Sequence, residues 1–175
     1  MPEGSQSDTP QGRVLVVDDE PNALSALAEL LGQEGYATAT ASDGFKALAV
    51  MDQFEPEVVL TDLKMPGMDG LEVLRQLRQR SQQTAVVLLT AHGTVESAVE
   101  AMKLGAVDFL QKPFAPREIR ELVSRVLHRR ETRQEKGHDY AYFVNGARDN
   151  LRERRFDTAD ELLNEVIRSV EVPRL

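Results

Sequence analysis

From Arg13 onward, short apolar runs rich in valine and leucine alternate with longer segments of helical periodicity, the pattern of repeated βα units on a parallel sheet. Five runs read as strands: Arg13 to Val17, Tyr36 to Ala41, Val58 to Asp62, Ala85 to Thr90 and Val107 to Leu110. Val14 to Val17, Val58 to Leu60 and Val86 to Leu89 are apolar at every position, as strands covered on both faces require, and are expected at the sheet centre. The intervening segments carry apolar stripes at helical spacing: Leu24, Leu27 and Leu31; Leu71, Leu74 and Leu77; Val95, Ala98, Val99 and Met102; Ile119, Leu122, Val123 and Val126. Each therefore has one face to bury. Pro21 and Pro116 suit first turns, Asp69 with Glu72 reads as a capping box, and Gly35 and Gly105 stand where a left-handed residue closes a helix. The fold class is α/β, a (βα)5 doubly wound parallel five-stranded sheet.

The pattern changes after Leu127. His128 to Gly137 contains no aliphatic or aromatic residue, so residues 129–137 are read as a charged linker or helix extension that ends a principal domain of residues 12–128. Beyond it, Tyr140 to Leu151 and Asp157 to Val170 have the spacing of two helices joined around Arg154 to Phe156. This hairpin, residues 138–173, is too small to fold alone. Residues 1–11 are polar, without the basic start or apolar stretch of a secretory signal, and read as a disordered leader.

Composition narrows the function. The chain has no cysteine, which removes disulfides, thiol nucleophiles and thiolate metal sites and fits a cytoplasmic protein. A formal charge of −8 argues against a protein that holds nucleic-acid phosphates. Arg152, Arg154 and Arg155 are interleaved with acidic residues and read as a solvated helix end. No apolar run approaches the roughly 20 residues that span a bilayer.

In a parallel α/β sheet, ligands bind beyond the carboxyl ends of the strands, so polar residues that follow an apolar strand are the ones to collect. Asp18 and Asp19 end the first strand, Asp62 the third and Thr90 the fourth, while Lys112 follows the fifth. Clustered carboxylates raise one another's pKa unless a cation sits among them, and an all-oxygen set suits a hard ion, so Mg²⁺ is inferred. A carboxylate can attack phosphorus when metal and fixed positive charge neutralise the phosphoryl oxygens. Lys112 supplies that charge and Thr90 a hydrogen-bond donor. Singly, each residue reads as a turn, a cap or a loop position. Their joint occurrence at successive strand ends points to a site.

Val16-Val-Asp-Asp-Glu-Pro21, Leu60-Thr-Asp-Leu-Lys-Met-Pro-Gly-Met-Asp-Gly70, Thr90-Ala-His-Gly93 and Asp108-Phe-Leu-Gln-Lys-Pro-Phe114 resemble the receiver domains of bacterial two-component response regulators, over about Gly12 to Leu127. The resemblance implies a flavodoxin-like sheet of order 2-1-3-4-5, with Asp62 as phosphoacceptor. It makes Asp19 a direct Mg²⁺ ligand, Asp18 its acidic companion, and the Lys64 backbone carbonyl a further ligand. Thr90 matches the switch hydroxyl, Lys112 the site lysine, and Phe109 the switch aromatic. Lys64 and His92 fall two residues beyond the phosphoacceptor and the switch hydroxyl, where the family tunes dephosphorylation. Neither is an obvious base, so slow or moderate self-dephosphorylation is expected.

Thr90 to Ala106 looks especially like receivers of enhancer-binding transcription activators, yet no G-x-x-x-x-G-K-[ST] phosphate loop occurs. The hairpin is weakly similar to one tetratricopeptide repeat, with Phe143, Gly146, Ala147, Ala159 and Leu163 at the expected intervals. The expected protein is a signalling phosphoacceptor rather than an enzyme, though one that assists its own phosphotransfer and dephosphorylation. It is charged by a sensor histidine kinase or phosphotransfer protein and acts by protein contact. Homodimerisation would use the face of the fourth helix, fifth strand and fifth helix, or the hairpin; no nucleic-acid or membrane binding is expected. The folding pattern continuing to Pro173 favours a complete, short protein. The alternatives are the receiver portion of a DNA-binding regulator, a phosphate-independent interaction module, and an aspartyl-nucleophile phosphohydrolase. The last would want an Asp-x-Asp pair directly after the first strand, where this chain has Asp18-Asp19-Glu20.

Overall fold

The computed structural model describes residues 9–81 and 83–133. They form β1 (Arg13–Val17), α1 (Pro21–Gln33), β2 (Ala37–Ala41), α2 (Gly44–Phe54), β3 (Val58–Asp62), α3 (Gly70–Arg80), β4 (Ala85–Thr90), α4 (Val95–Lys103), β5 (Asp108–Gln111) and α5 (Pro116–Arg133). The strands make one sheet of order β2-β1-β3-β4-β5 with every pair parallel. The three continuously apolar runs are its three interior strands.

Side chains that alternate along a strand point to opposite faces, and the core divides accordingly. Val14, Val16, Val58, Leu60, Val87 and Leu89 pack with Leu27, Leu31, Ile119, Leu122, Val123 and Val126 of α1 and α5. Leu15, Val17, Val59, Val86 and Leu88 pack with α2, α3 and α4 through residues that include Leu48, Met51, Leu74, Leu77 and Ala98. Helices thus cover both faces, with the winding direction reversing between β1 and β3. That reversal opens a crevice at their carboxyl ends.

Local signals explain most boundaries. Pro21 opens α1 and Gly35 and Gly105 have φ of +91° and +94° after α1 and α4. The edge strands shift by a residue from expectation. The Tyr36 N–H closes the end of α1 on the Leu31 carbonyl, so β2 starts at Ala37; at β5 the ladder runs on to pair Gln111 with Thr90. Asp69 does cap α3, accepting from the Glu72 N–H at 2.8 Å, but the Glu72 carboxylate turns to Arg75 and Gln76 instead of completing the box. The complete box is at α4, between Thr94 and Ser97. α2, which none of the four stripes announces, buries Ala47, Leu48 and Met51 and leaves Phe45 66% exposed.

α5 runs through Arg133, so residues 129–133 of the charged stretch continue the helix. The hairpin of residues 138–173, with its arginines and tetratricopeptide-like positions, and residues 1–8 of the leader lie outside the described residues. Among the described residues no helix is long and apolar enough to cross a membrane.

Candidate functional site

The ends of β1, β3, β4 and β5 bring five of the expected side chains to one rim. Asp18 follows β1 directly, its N–H bonded to the Ala41 carbonyl of β2. Its side chain is buried, 2% exposed, with both oxygens engaged: Oδ1 accepts from the Glu20 N–H at 2.9 Å and Oδ2 from Lys112 Nζ at 2.6 Å. Asp19 beside it is exposed. Asp62, the last residue of β3, is partly buried and accepts from the Lys64 N–H at 3.3 Å and from Lys112 Nζ at 3.5 Å. One ammonium therefore bridges two carboxylates that lie 44 residues apart in the chain.

Carboxylate oxygens of Asp18, Asp19 and Asp62 all lie within 4.8 Å of one another, close enough to share one ion. The donors are all hard oxygens, and Asp19 is exposed on the solvent side, so the set fits a divalent cation of the Mg²⁺ kind that keeps some of its water. The charges interact strongly. Burial pushes the Asp62 carboxyl above its ordinary value, with Asp18 adding to the rise and the Lys112 ammonium opposing it without cancelling it. At Lys112, burial alone would lower the pKa, but the Asp18 hydrogen bond and the two carboxylate charges outweigh it and the value is raised. The ammonium stays charged throughout the neutral range.

Thr90 ends β4 and is buried; its Oγ1 accepts from the His92 N–H at 3.1 Å, and its carbonyl accepts from the Lys112 N–H at 2.7 Å. The second bond ties the β4 and β5 ends together at the lysine. Phe109, on β5, is buried in the core shared with α2, α3 and α4. Lys64 and the His92 ring lie outside the carboxylate cluster with exposed side chains; the Lys64 backbone N–H bonds Asp62 and that of His92 bonds Thr90.

Two residues that position the site had no role in the sequence reading beyond membership of a motif. A Cβ on Gly70 would stand 2.2 Å from the Asp62 carbonyl oxygen, so the bare first turn of α3 is what lets that helix lie on the end of β3. A glycine directly after a capping Asp, where better helix formers are the rule, is the signal that could have found it. Asp108 is fully buried and joins the Phe109 N–H at 2.8 Å to Arg125 of α5 at 3.1 Å. An acidic residue inside an apolar strand run was its signal.

Comparison with known proteins agrees with this geometry. The response regulator receiver domain family matches residues 14–124. The chain is 39% identical over 126 residues to the regulatory protein AtoC of Escherichia coli K12, a match that covers 72% of this chain and 27% of that one. It is 36% identical over 115 residues to sporulation initiation phosphotransferase F of Bacillus subtilis, covering 66% of this chain and 93% of that one. Among solved structures, a response regulator receiver domain protein from Clostridium thermocellum superposes with a TM-score of 0.66 at 32% identity, covering 69% of this chain and 98% of that one. The chain thus spans nearly the whole of the sporulation protein but only about a quarter of AtoC.

Proposed function

The chain belongs to the response regulator receiver family, and from that premise we propose that Asp62 accepts the phosphoryl group. Receivers are phosphorylation-activated switches of two-component signalling, charged by histidine kinases. The observation that carries the assignment is the Lys112 ammonium held between Asp18 and Asp62, with Asp19 completing a three-carboxylate cluster. Of the two carboxylates on the Lys112 ammonium, Asp62 is the freer to react. Asp18 has both oxygens engaged by the protein, whereas Asp62 is only weakly held, at 3.3 and 3.5 Å.

Asp62 attacks phosphorus in line with the departing histidine nitrogen; a carboxylate O–P bond forms, the P–N bond breaks, and the imidazole leaves. Lys112 moves its weaker contact from Asp62 to a phosphoryl oxygen while keeping Asp18. The Thr90 hydroxyl, which accepts from His92, donates its own proton to a second phosphoryl oxygen. Asp18, Asp19, Asp62 and the Lys64 backbone carbonyl would hold Mg²⁺. When bound, the ion neutralises charge on the transferring phosphoryl group. Drawing Thr90 toward the phosphoryl moves the β4–α4 loop and shifts the balance of Phe109 further toward the buried ring that this structure holds, a population shift set by differential binding. Lys64 and His92 tune the hydrolysis of the acyl phosphate, and neither is placed as a base, so the adduct outlasts seconds.

On this reading residues 12–128 are the receiver and residues 138–173 serve output by protein contact. Homodimerisation through the α4-β5-α5 face is the alternative route. The test is intact-mass spectrometry after acetyl phosphate treatment, with and without Mg²⁺, on the parent and on Asp62→Asn. We expect one Mg²⁺-dependent, hydroxylamine-labile phosphoryl group in the parent, decaying over minutes or longer, and none in the variant. No adduct under any condition would sink the assignment.

A second reading, the receiver portion of a DNA-binding transcription regulator, is favoured by the length of the match, since AtoC extends far beyond the aligned segment. An antibody raised against residues 9–133 and used on a source-cell lysate separates the two. A band near 19.5 kDa supports protein-contact output, and a much larger one supports the regulator.

A further inference from the structure

Between Thr90 and the α4 cap Thr94 the β4–α4 loop has only three residues, 91–93, and both its ends are fixed: Thr90 lies in the β4–β5 ladder and Thr94 in the capping box with Ser97. It has little slack. Its last residue, Gly93, has a φ outside the left-handed region, so backbone conformation alone would admit any side chain there. Contact forbids one. A Cβ at 93 would lie 2.6 Å from Cζ and 2.7 Å from Cε1 of Phe109, and 2.8 Å from Cγ2 of Thr90, where carbons at rest stand roughly 3.5–4.0 Å apart.

The strand beneath cannot easily retreat. Asp108, buried just before Phe109 in the strand and turned to the opposite face, fixes the Phe109 N–H and is itself anchored to Arg125 on α5. With the loop short and the strand held, rotation of the Phe109 side chain out of the core is the movement that relieves the overlap.

We propose that Gly93 is a positioning residue for the switch: its missing side chain is the seat of the buried Phe109 ring, and the size of residue 93 sets the balance between ring buried and ring exposed. The inference rests on the receiver reading and deepens it. A methyl group at 93 penalises only the arrangement with the ring under the loop. That arrangement is the one assigned above to the phosphorylated form, so the penalty opposes activation.

The test uses the full chain carrying 4-fluorophenylalanine, with the Phe109 signal identified by its loss in Phe109→Leu, and beryllofluoride with Mg²⁺ as the acyl-phosphate probe. In Gly93→Ala the Phe109 fluorine signal should acquire the solvent isotope shift of an exposed ring, and apparent beryllofluoride affinity should fall about tenfold. In a Phe109→Ala background the same substitution should cost clearly less, because the ring is gone and only the Thr90 Cγ2 contact at 2.8 Å remains. An equal loss in both backgrounds, or a ring that stays buried in Gly93→Ala, overturns the proposal. Should Gly93→Ala alone fail to fold, recovery of folding in the double variant supports the seat, and no recovery overturns it. A parent chain that takes up no beryllofluoride would instead overturn the receiver reading, while the fluorine signal still decides whether Gly93 seats the ring.

Discussion

The site holds three carboxylates and one ammonium, and Asp62 and Lys112 make opposite predictions when altered. Burial holds the Asp62 carboxyl above its unfolded value, so the folded state binds that proton more tightly. Stability therefore falls as pH rises from the ordinary aspartate range, about 4, through the raised value. Asp62→Asn removes this loss. In EDTA at pH 7 the variant should melt at a higher temperature than the parent, with the gap closing toward about pH 4. Lys112→Ala does the reverse, because it leaves buried Asp18 facing Asp62 with no cation between them. Urea unfolding in EDTA at pH 7 should register a loss of about 3 kcal/mol. The carboxylates and the lysine were legible in the sequence because each follows an apolar strand directly. Gly70, Gly93 and Asp108 were not, since what each does depends on a contact with another element, and such contacts leave no periodic trace.

At the scale of elements, the two ends of the sheet separate stability from function. At the amino end, Arg78 of α3 donates to the carbonyls of Ser81, Thr84 and Gly105 at 3.3, 2.8 and 2.7 Å, fastening the end of its own helix to the start of β4 and the end of α4. Arg78→Ala should cost about 2–3 kcal/mol in urea unfolding and leave the acetyl phosphate rate unchanged below the transition. At the carboxyl end, Gly70→Ala drives a Cβ into the Asp62 carbonyl. It should cost about 3 kcal/mol and slow acetyl phosphate uptake as well, because α3 can move only by shifting Asp62, the proposed phosphoacceptor. The interior strands β1, β3 and β4 were readable to the residue from unbroken apolar runs. Of the edge strands, β2 starts one residue later than expected and β5 is displaced by one, since a ladder's end depends on its neighbour's hydrogen bonds. α2 was the least legible helix, its buried stripe being only Ala47, Leu48 and Met51 with an exposed aromatic in its first turn.

Over the whole molecule, the doubly wound order collects residues from four strands, and no two neighbouring elements suffice to make the site. Asp18 and Asp62 stand 94 and 50 residues before Lys112. A chain is made from its amino end, so both carboxylates leave the ribosome well before the ammonium that reconciles them. Until then a folded site would set Asp18 against Asp62 with nothing between. On the proposed reading, a chain that takes a phosphoryl group on Asp62 is therefore expected to be one whose fifth strand is already in place.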